Sequence, residues 1–260
     1  MNGLIIYDGP SQWDDQPIVV IVTGIKNRSN NPKTGDMLQA WILLRDFHPH
    51  EGVVSGLDQS ICGDCVHRRQ EDGKRSCYVS MNAPGQIWKT YKAGKYDVAT
   101  PREAGEVIAS LPTYRRKIRL GAYGDPAMVP LEVWRDLTEH VTLSTGYTHQ
   151  WRHMSSEYSE FCMASADNPT DVADATALGY RTFRCMSEGD PLLEKEIVCP
   201  ASAEAGQLTQ CSDCGLCSGS YTERSNSIPN VAITIHGRGA KYFDSGVSRE
   251  ERRHAEQVDQ

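Results

Sequence analysis

The chain reads as an α/β protein: a partial or complete parallel β/α barrel with an N-terminal β-rich extension and a C-terminal cysteine-rich metal loop. Three observations predict this class. Short apolar runs between residues 118 and 236 end repeatedly in polar groups: Gly124-Asp125-Pro126, His149-Gln150-Trp151-Arg152, Asp167-Asn168-Pro169, Cys185, Pro200-Ala201-Ser202 after Cys199, and His236-Gly237. Helical segments at 131–140 and 170–178 each lie between two such runs. Crossovers of strand, helix, strand are almost always right-handed, which makes parallel pairing the economical arrangement. Finally, six cysteines fall in two groups on loops, at Cys62, Cys65, Cys77 and at Cys211, Cys214, Cys217. In a parallel barrel the working groups sit at the carboxyl ends of the strands, so strands of this polarity predict one active face.

A length of 260 residues suits one large domain or two small ones. The pattern divides the chain into an extension over 1–50, a barrel domain with metal-binding loops over 51–245, and a charged tail over 246–260. Hydrophobic residues at 39% and charged residues at 23% are values of an ordinary globular chain, not a disordered one. No apolar run approaches the roughly 20 residues that span a bilayer, and the first residues lack the pattern of a secretory signal. A cytoplasmic protein without a membrane partner is expected. The net charge of −7 argues against a broad basic surface for duplex DNA. Arg115, Arg116, Lys117 and Arg119 form a local basic patch, either a point of nucleic-acid contact or a solvated turn before a strand.

From the N-terminus, residues 4–7 and the β-branched run 18–23 read as strands, with Asp8-Gly9-Pro10-Ser11 as turn chemistry between them. Residues 27–36 predict an ordered polar loop, and 37–44 a further strand. Phe47-His48-Pro49-His50-Glu51-Gly52 reads as a break carrying two solvent-exposed histidines. Helical spacing follows at 82–91 and at 101–111, where Thr100 is the expected N-cap and Glu103 holds the capping-box position. The helix at 170–178 opens with turn and cap residues, with Asp167 expected to cap it, and stops at Gly179. The run Arg249-Glu-Glu-Arg-Arg-His254 predicts a charged, partly frayed helix in the tail.

Disulfides seldom persist in a reducing cytosol, so the grouped cysteines point to metal. A Cys-x-x-Cys turn lets two thiolates converge on one ion. Zinc would take Cys62, Cys65, Cys77 and His67, whereas an iron–sulfur cluster would take the three cysteines and leave one iron open. Cys211-Ser-Asp-Cys214-Gly-Leu-Cys217 has the spacing of ferredoxin-type clusters, with Cys199 as the remote fourth ligand. Zinc would be satisfied by the same three thiols with Cys199 or His236. Cys162 and Cys185 read as buried small hydrophobes.

Cysteines after the first barrel strand, an aromatic Tyr78, and Gly124-Asp125-Pro126 ending the next strand together resemble the radical S-adenosylmethionine enzymes. The resemblance covers residues 61–236 and implies a [4Fe–4S] cluster on the first three cysteines. It also implies S-adenosylmethionine held by Tyr78, Gly124, Asp125 and Pro126, an auxiliary centre at the second cysteine group, and an external electron donor. The spacing differs from the family's Cys-x-x-x-Cys-x-x-Cys, since eleven residues separate Cys65 from Cys77. The pattern is also similar to uncharacterised phage- and plasmid-encoded cysteine-rich proteins. A second resemblance is to the guanine and 7-deazaguanine transglycosylases that modify nucleic acid. It implies zinc on Cys211, Cys214, Cys217 and His236, with Asp125 or Asp167 as nucleophile.

The remaining catalytic candidates are Asp125, which otherwise serves its turn, and His149, which is set among stacking and donor groups suited to a planar or anionic ligand or else is a buried structural histidine. Arg181 and Arg184 interrupt an apolar run, so at least one is expected to meet an inward carboxylate or an anion. A purely structural alternative is a zinc-stabilised binding module. A small molecule or a nucleobase is the expected substrate.

Overall fold

The computed structural model describes residues 3–29, 31–219 and 228–243. The tail expected over 246–260 lies outside them. The first elements are β1 (Gly3–Pro10), β2 (Pro17–Thr23), β3 (Leu38–Leu44), α1 (Pro49–Ser55), α2 (Gln59–Cys62), α3 (Asn82–Lys92), β4 (Asp97–Val98) and α4 (Pro101–Ala109). There follow β5 (Lys117–Tyr123), α5 (Leu131–Thr138), β6 (Leu143–Thr145), β7 (Tyr147–Thr148), β8 (Met163–Ala166) and α6 (Pro169–Ala177). The last are β9 (Thr182–Met186), β10 (Glu196–Val198), α7 (Cys211–Cys214) and β11 (Asn230–Thr234).

The architecture is mixed α/β with parallel sheets. One sheet has the order β4-β1-β2-β3-β5-β6 and the other β10-β11-β9-β8-β7. β1, β2 and β3 form an antiparallel meander whose middle strand is fully buried from Ile18 to Val22. On its other edge β3 pairs in parallel with β5, and β5 with β6, so the N-terminal strands share a sheet with the first parallel strands. The second sheet is parallel throughout. Only Gly146 separates β6 from β7, so one extended segment belongs to both sheets. Among the described residues the strands do not close into a ring, since β4 and β10 remain edges.

Local chemistry explains most boundaries. Thr100 caps α4 and exchanges bonds with Glu103 in the expected capping box. α5 buries Leu131, Trp134 and Leu137, and Trp134 donates its indole N–H to the Pro126 carbonyl at 2.9 Å. Two expectations are corrected. The segment around His48 is no break: His48 caps α1, accepting the His50 N–H on Nδ1 at 3.3 Å, and its ring meets Trp88 edge-on at 5.4 Å. Pro49 at the first helical position and Glu51 in the box make this a helix start that its histidine cap disguised. Asp167 does not cap α6 either; Asn168 accepts the Asp171 N–H at 2.8 Å, which leaves the Asp167 carboxylate for another partner.

Candidate metal centres in a cysteine-lined cavity

The carboxyl ends of the parallel strands open on one cavity of about 270 Å³. Gly124 and Asp125 reach it after β5, His149 after β7, Cys199 after β10 and His236 after β11. Every cysteine of the chain except the fully buried Cys162 lines it, and no disulfide joins any of them. Both cysteine groups therefore face the same space.

The first group is assembled by backbone bonds. α2 delivers Cys62, and the Cys65 N–H donates back to the Cys62 carbonyl at 3.3 Å. The charged excursion then doubles on itself, with Gln70 N–H to Lys74 O at 2.8 Å, and returns so that the Cys77 N–H donates to the His67 carbonyl at 3.0 Å. The eleven intervening residues thus bring Cys77 back beside the Cys-x-x-Cys turn. Arg68 fastens this loop through buried Asp58 at 2.7 Å and the Gly63 carbonyl at 3.1 Å, and the Gln150 amide donates to the Cys62 carbonyl at 3.0 Å.

The second group sits on one helical turn. Gly215, with φ of 69°, ends α7 in a left-handed conformation that turns the chain back so that Cys217 also faces the cavity. The Cys211 and Ser212 N–H groups donate to the Lys33 and Thr34 carbonyls at 2.9 and 3.2 Å. Lys33 and Thr34, from the polar loop 27–36, line the cavity themselves. Cys199 is held from β10 by its N–H to the Ala232 carbonyl at 2.8 Å.

Electrostatics mark each group as a unit. Burial pushes the Cys62 thiol well above the ordinary cysteine value, and Asp58, Cys65 and Cys77 push the same way. Burial raises Cys217 to about 12; the Tyr147 hydroxyl opposes this, and Cys199, Cys211 and Cys214 add to it. Buried thiols such as Cys62 and Cys217, which resist ionisation, are suited to a cation, which reverses the preference and holds them as thiolates.

Other expected residues take distinct positions. Gly124 has φ of 80°, and a Cβ there would lie 2.7 Å from Ile42 Cβ, so only glycine fits between β5 and β3. Asp125 is buried; Oδ1 accepts the Ala127 N–H at 2.9 Å and Oδ2 the His149 N–H at 2.8 Å, fastening one strand end to the next. Pro126 is buried at the start of a 3-10 turn and does not line the cavity. Tyr78 lies at the cavity wall, accepting a hydrogen bond from Arg119 and tilted against the His236 ring at 6.0 Å. His236 is exposed, with Nδ1 3.1 Å from the Thr234 carbonyl.

His67 Nε2 lies 2.8 Å from Asp167 Oδ1, and its Nδ1 lies 2.8 Å from Ser76 Oγ. The His149 ring stands edge-on to it at 5.2 Å. Ligand atoms of His67, His149 and Asp167 all lie within 4.8 Å of one another.

The basic patch is occupied by its own chain: Arg115 donates to Gly24 O, Arg116 to Leu111 O and Lys117 to Ser212 O. Arg184 meets the anticipated carboxylate in Glu196 at 2.7 Å, while Arg181 serves the Gly219 and Pro229 carbonyls.

Sequence reasoning passed over three cavity residues. Cys185 is half-buried and packs against the core of the second sheet, as expected, but with Phe183 it also faces the cavity, while Arg184 between them turns to Glu196. That alternation is a period-two signal legible within β9. Thr34 and Tyr123 line the cavity with buried hydroxyls that have no hydrogen-bond partner among the described residues. Burial, then Cys62 and Asp58, hold the Tyr123 phenol well above its ordinary value.

Fold and site together define a class: an α/β protein whose parallel strand ends converge on a thiol-lined cavity. Compared with family models, curated proteins and solved structures, the chain matches none. No helix among the described residues is long and apolar enough to cross a membrane.

Proposed function

We propose that the chain is an iron–sulfur enzyme of radical S-adenosylmethionine type, built on a partial β/α barrel. One observation carries this reading: the first cysteine group, the Gly124-Asp125 strand end and the second cysteine group all open on one cavity. On this reading Cys62, Cys65 and Cys77 hold a cluster with one open iron, and Cys199, Cys211, Cys214 and Cys217 hold a second centre. The return of Cys77 to the Cys-x-x-Cys turn supports a shared first centre despite the long spacing. The buried Tyr123 hydroxyl also fits, because cluster sulfurs accept hydrogen bonds and the phenol lacks another acceptor among the described residues. When bound, the cluster supplies an electron and S-adenosylmethionine the radical chemistry.

The chain's own residues then bind and orient. The close approach at Gly124 leaves backbone at the cavity wall for the cofactor's amino group, and Tyr78 offers a ring at its side. Asp125 acts as a positioning residue, since both its oxygens accept backbone N–H groups. The same engagement weighs against its use as a transglycosylase nucleophile. A small molecule or nucleobase remains the substrate class, with an external electron donor.

The test is cleavage of S-adenosylmethionine by anaerobically reconstituted, chemically reduced protein. The reading expects cleavage in the native chain, a loss of at least about a hundredfold in Cys65→Ser, and retention of cluster colour from the second group. A colourless zinc protein, or a coloured one that never cleaves the cofactor, overturns it.

A further inference from the structure

We propose that His67, His149 and Asp167 form a separate site for one divalent first-row transition ion, distinct from both cysteine-held centres. An ion with ligand distances of about 2.0–2.2 Å spaces its ligand atoms by roughly 3 to 4.4 Å. The three side chains present ligand atoms within 4.8 Å of one another, so small side-chain movements close the set. His67 Nε2 and Asp167 Oδ1 lie 2.8 Å apart in a direct hydrogen bond, so an ion between them needs only a slight opening of that pair. Two imidazoles and a carboxylate form a borderline-soft donor set that suits zinc or iron(II) and leaves positions open to water or substrate.

Each ligand is braced from behind, as metal ligands require. Ser76 Oγ at 2.8 Å anchors Nδ1 of His67 and so aims Nε2 at the site. Phe243 stacks on the same ring at 5.7 Å and 18°. Asp125 fixes the His149 backbone at 2.8 Å, and the Asp167 N–H donates to Asp171 Oδ2 at 3.0 Å. Two of the three come from adjacent parallel strands, His149 directly after β7 and Asp167 directly after β8, so the sheet sets their spacing. Asp167 and His67 are only 5% and 9% exposed, and a buried carboxylate calls for a compensating cation. The ion would stand in the wall of the cavity, close enough to polarise a carbonyl, phosphoryl or hydroxyl oxygen of a molecule bound there.

The competing arrangement is a metal-free pair of His67 and Asp167. Cobalt(II) separates the two, because its spectrum distinguishes nitrogen and oxygen ligands from thiolates. The full-length chain is freed of adventitious metal with a chelator under anaerobic conditions and titrated with cobalt(II), and iron and sulfide are measured on the same samples. The site predicts one tightly bound cobalt without thiolate charge-transfer absorption. His149→Ala and Asp167→Asn should weaken it at least about a hundredfold, and Ser76→Ala about tenfold, with iron and sulfide unchanged. Asp167→Asn keeps a hydrogen-bonding group beside His67, and near-ultraviolet circular dichroism verifies the fold. Absent cobalt binding, equal binding by both variants, or binding with thiolate bands that disappears with iron and sulfide overturns the proposal. If the chain binds no iron, cobalt on the open cysteines gives thiolate bands, and the site is read as a further cobalt without them that His149→Ala and Asp167→Asn remove; the radical reading then fails and the site stands.

Discussion

At the scale of single residues, the hydroxyl of Tyr123 reports most directly on what the cavity holds. It is buried without a hydrogen-bond partner among the described residues, and leaving such a group unsatisfied costs about 1–3 kcal/mol. Tyr123→Phe should therefore stabilise the cluster-free chain by up to about that amount, and the gain should vanish in the loaded chain if a cluster sulfur accepts the bond. Equal effects on both forms, read from urea midpoints, would place the hydroxyl outside the centre. The thiols make a second prediction, about pH. Cys62 and Cys217 have folded values raised by burial, above about 8.5 in an unfolded chain. Over that window the folded state binds more protons than the unfolded one, so stability is full below about pH 8.5 and falls as pH rises toward the folded values. A loaded chain, with its thiols already deprotonated, should lack this decline. Thermal melts of both forms from pH 7 to 10 test the contrast.

At the scale of elements, the weak points lie where strands meet. Gly124 closes β5 against β3, and Gly124→Ala forces a Cβ to 2.7 Å from Ile42 Cβ at a positive φ. A loss of about 1–3 kcal/mol is expected. A neutral effect would mean that β3 and β5 separate readily at this end. Arg184 joins β9 to the start of β10 through Glu196, whose side chain is fully buried. Arg184→Leu strands that carboxylate and should cost about 3–5 kcal/mol in denaturant unfolding, whereas a loss under about 1 kcal/mol would show that Glu196 finds water or a proton.

These elements also show what the sequence carried. The apolar runs, the capping box at Thr100, the stop at Gly179 and both cysteine groups were legible because each depends on neighbours within a few residues. The helix start at His48 was hidden by an uncommon capping residue. The pairing of Asp167 with His67 was hidden by a separation of 100 residues. The cavity side of Cys185 was legible in principle, since alternation along β9 puts it on the side of Phe183 and opposite Arg184.

At the scale of the whole molecule, the site arises from strand order. The last described strand, β11, inserts between β9 and β10, which carries His236 and Cys199 toward the same cavity as the earlier strand ends. No local pattern encodes that insertion, nor the double membership of β3, which joins the N-terminal meander to the parallel strands. Both follow from long-range pairing. The convergence of two cysteine groups was accordingly open in the sequence and becomes definite only with the sheet in place.

That convergence makes metal content the most direct measurement: iron, sulfide and zinc determined together on anaerobically purified and reconstituted chain. Two cluster-bearing groups predict about eight irons with matching sulfide. Serine at Cys62, Cys65 and Cys77 should remove about half of both, as should serine at Cys211, Cys214 and Cys217. One or two zinc ions per chain, with no iron, sulfide or visible absorbance, would contradict the account.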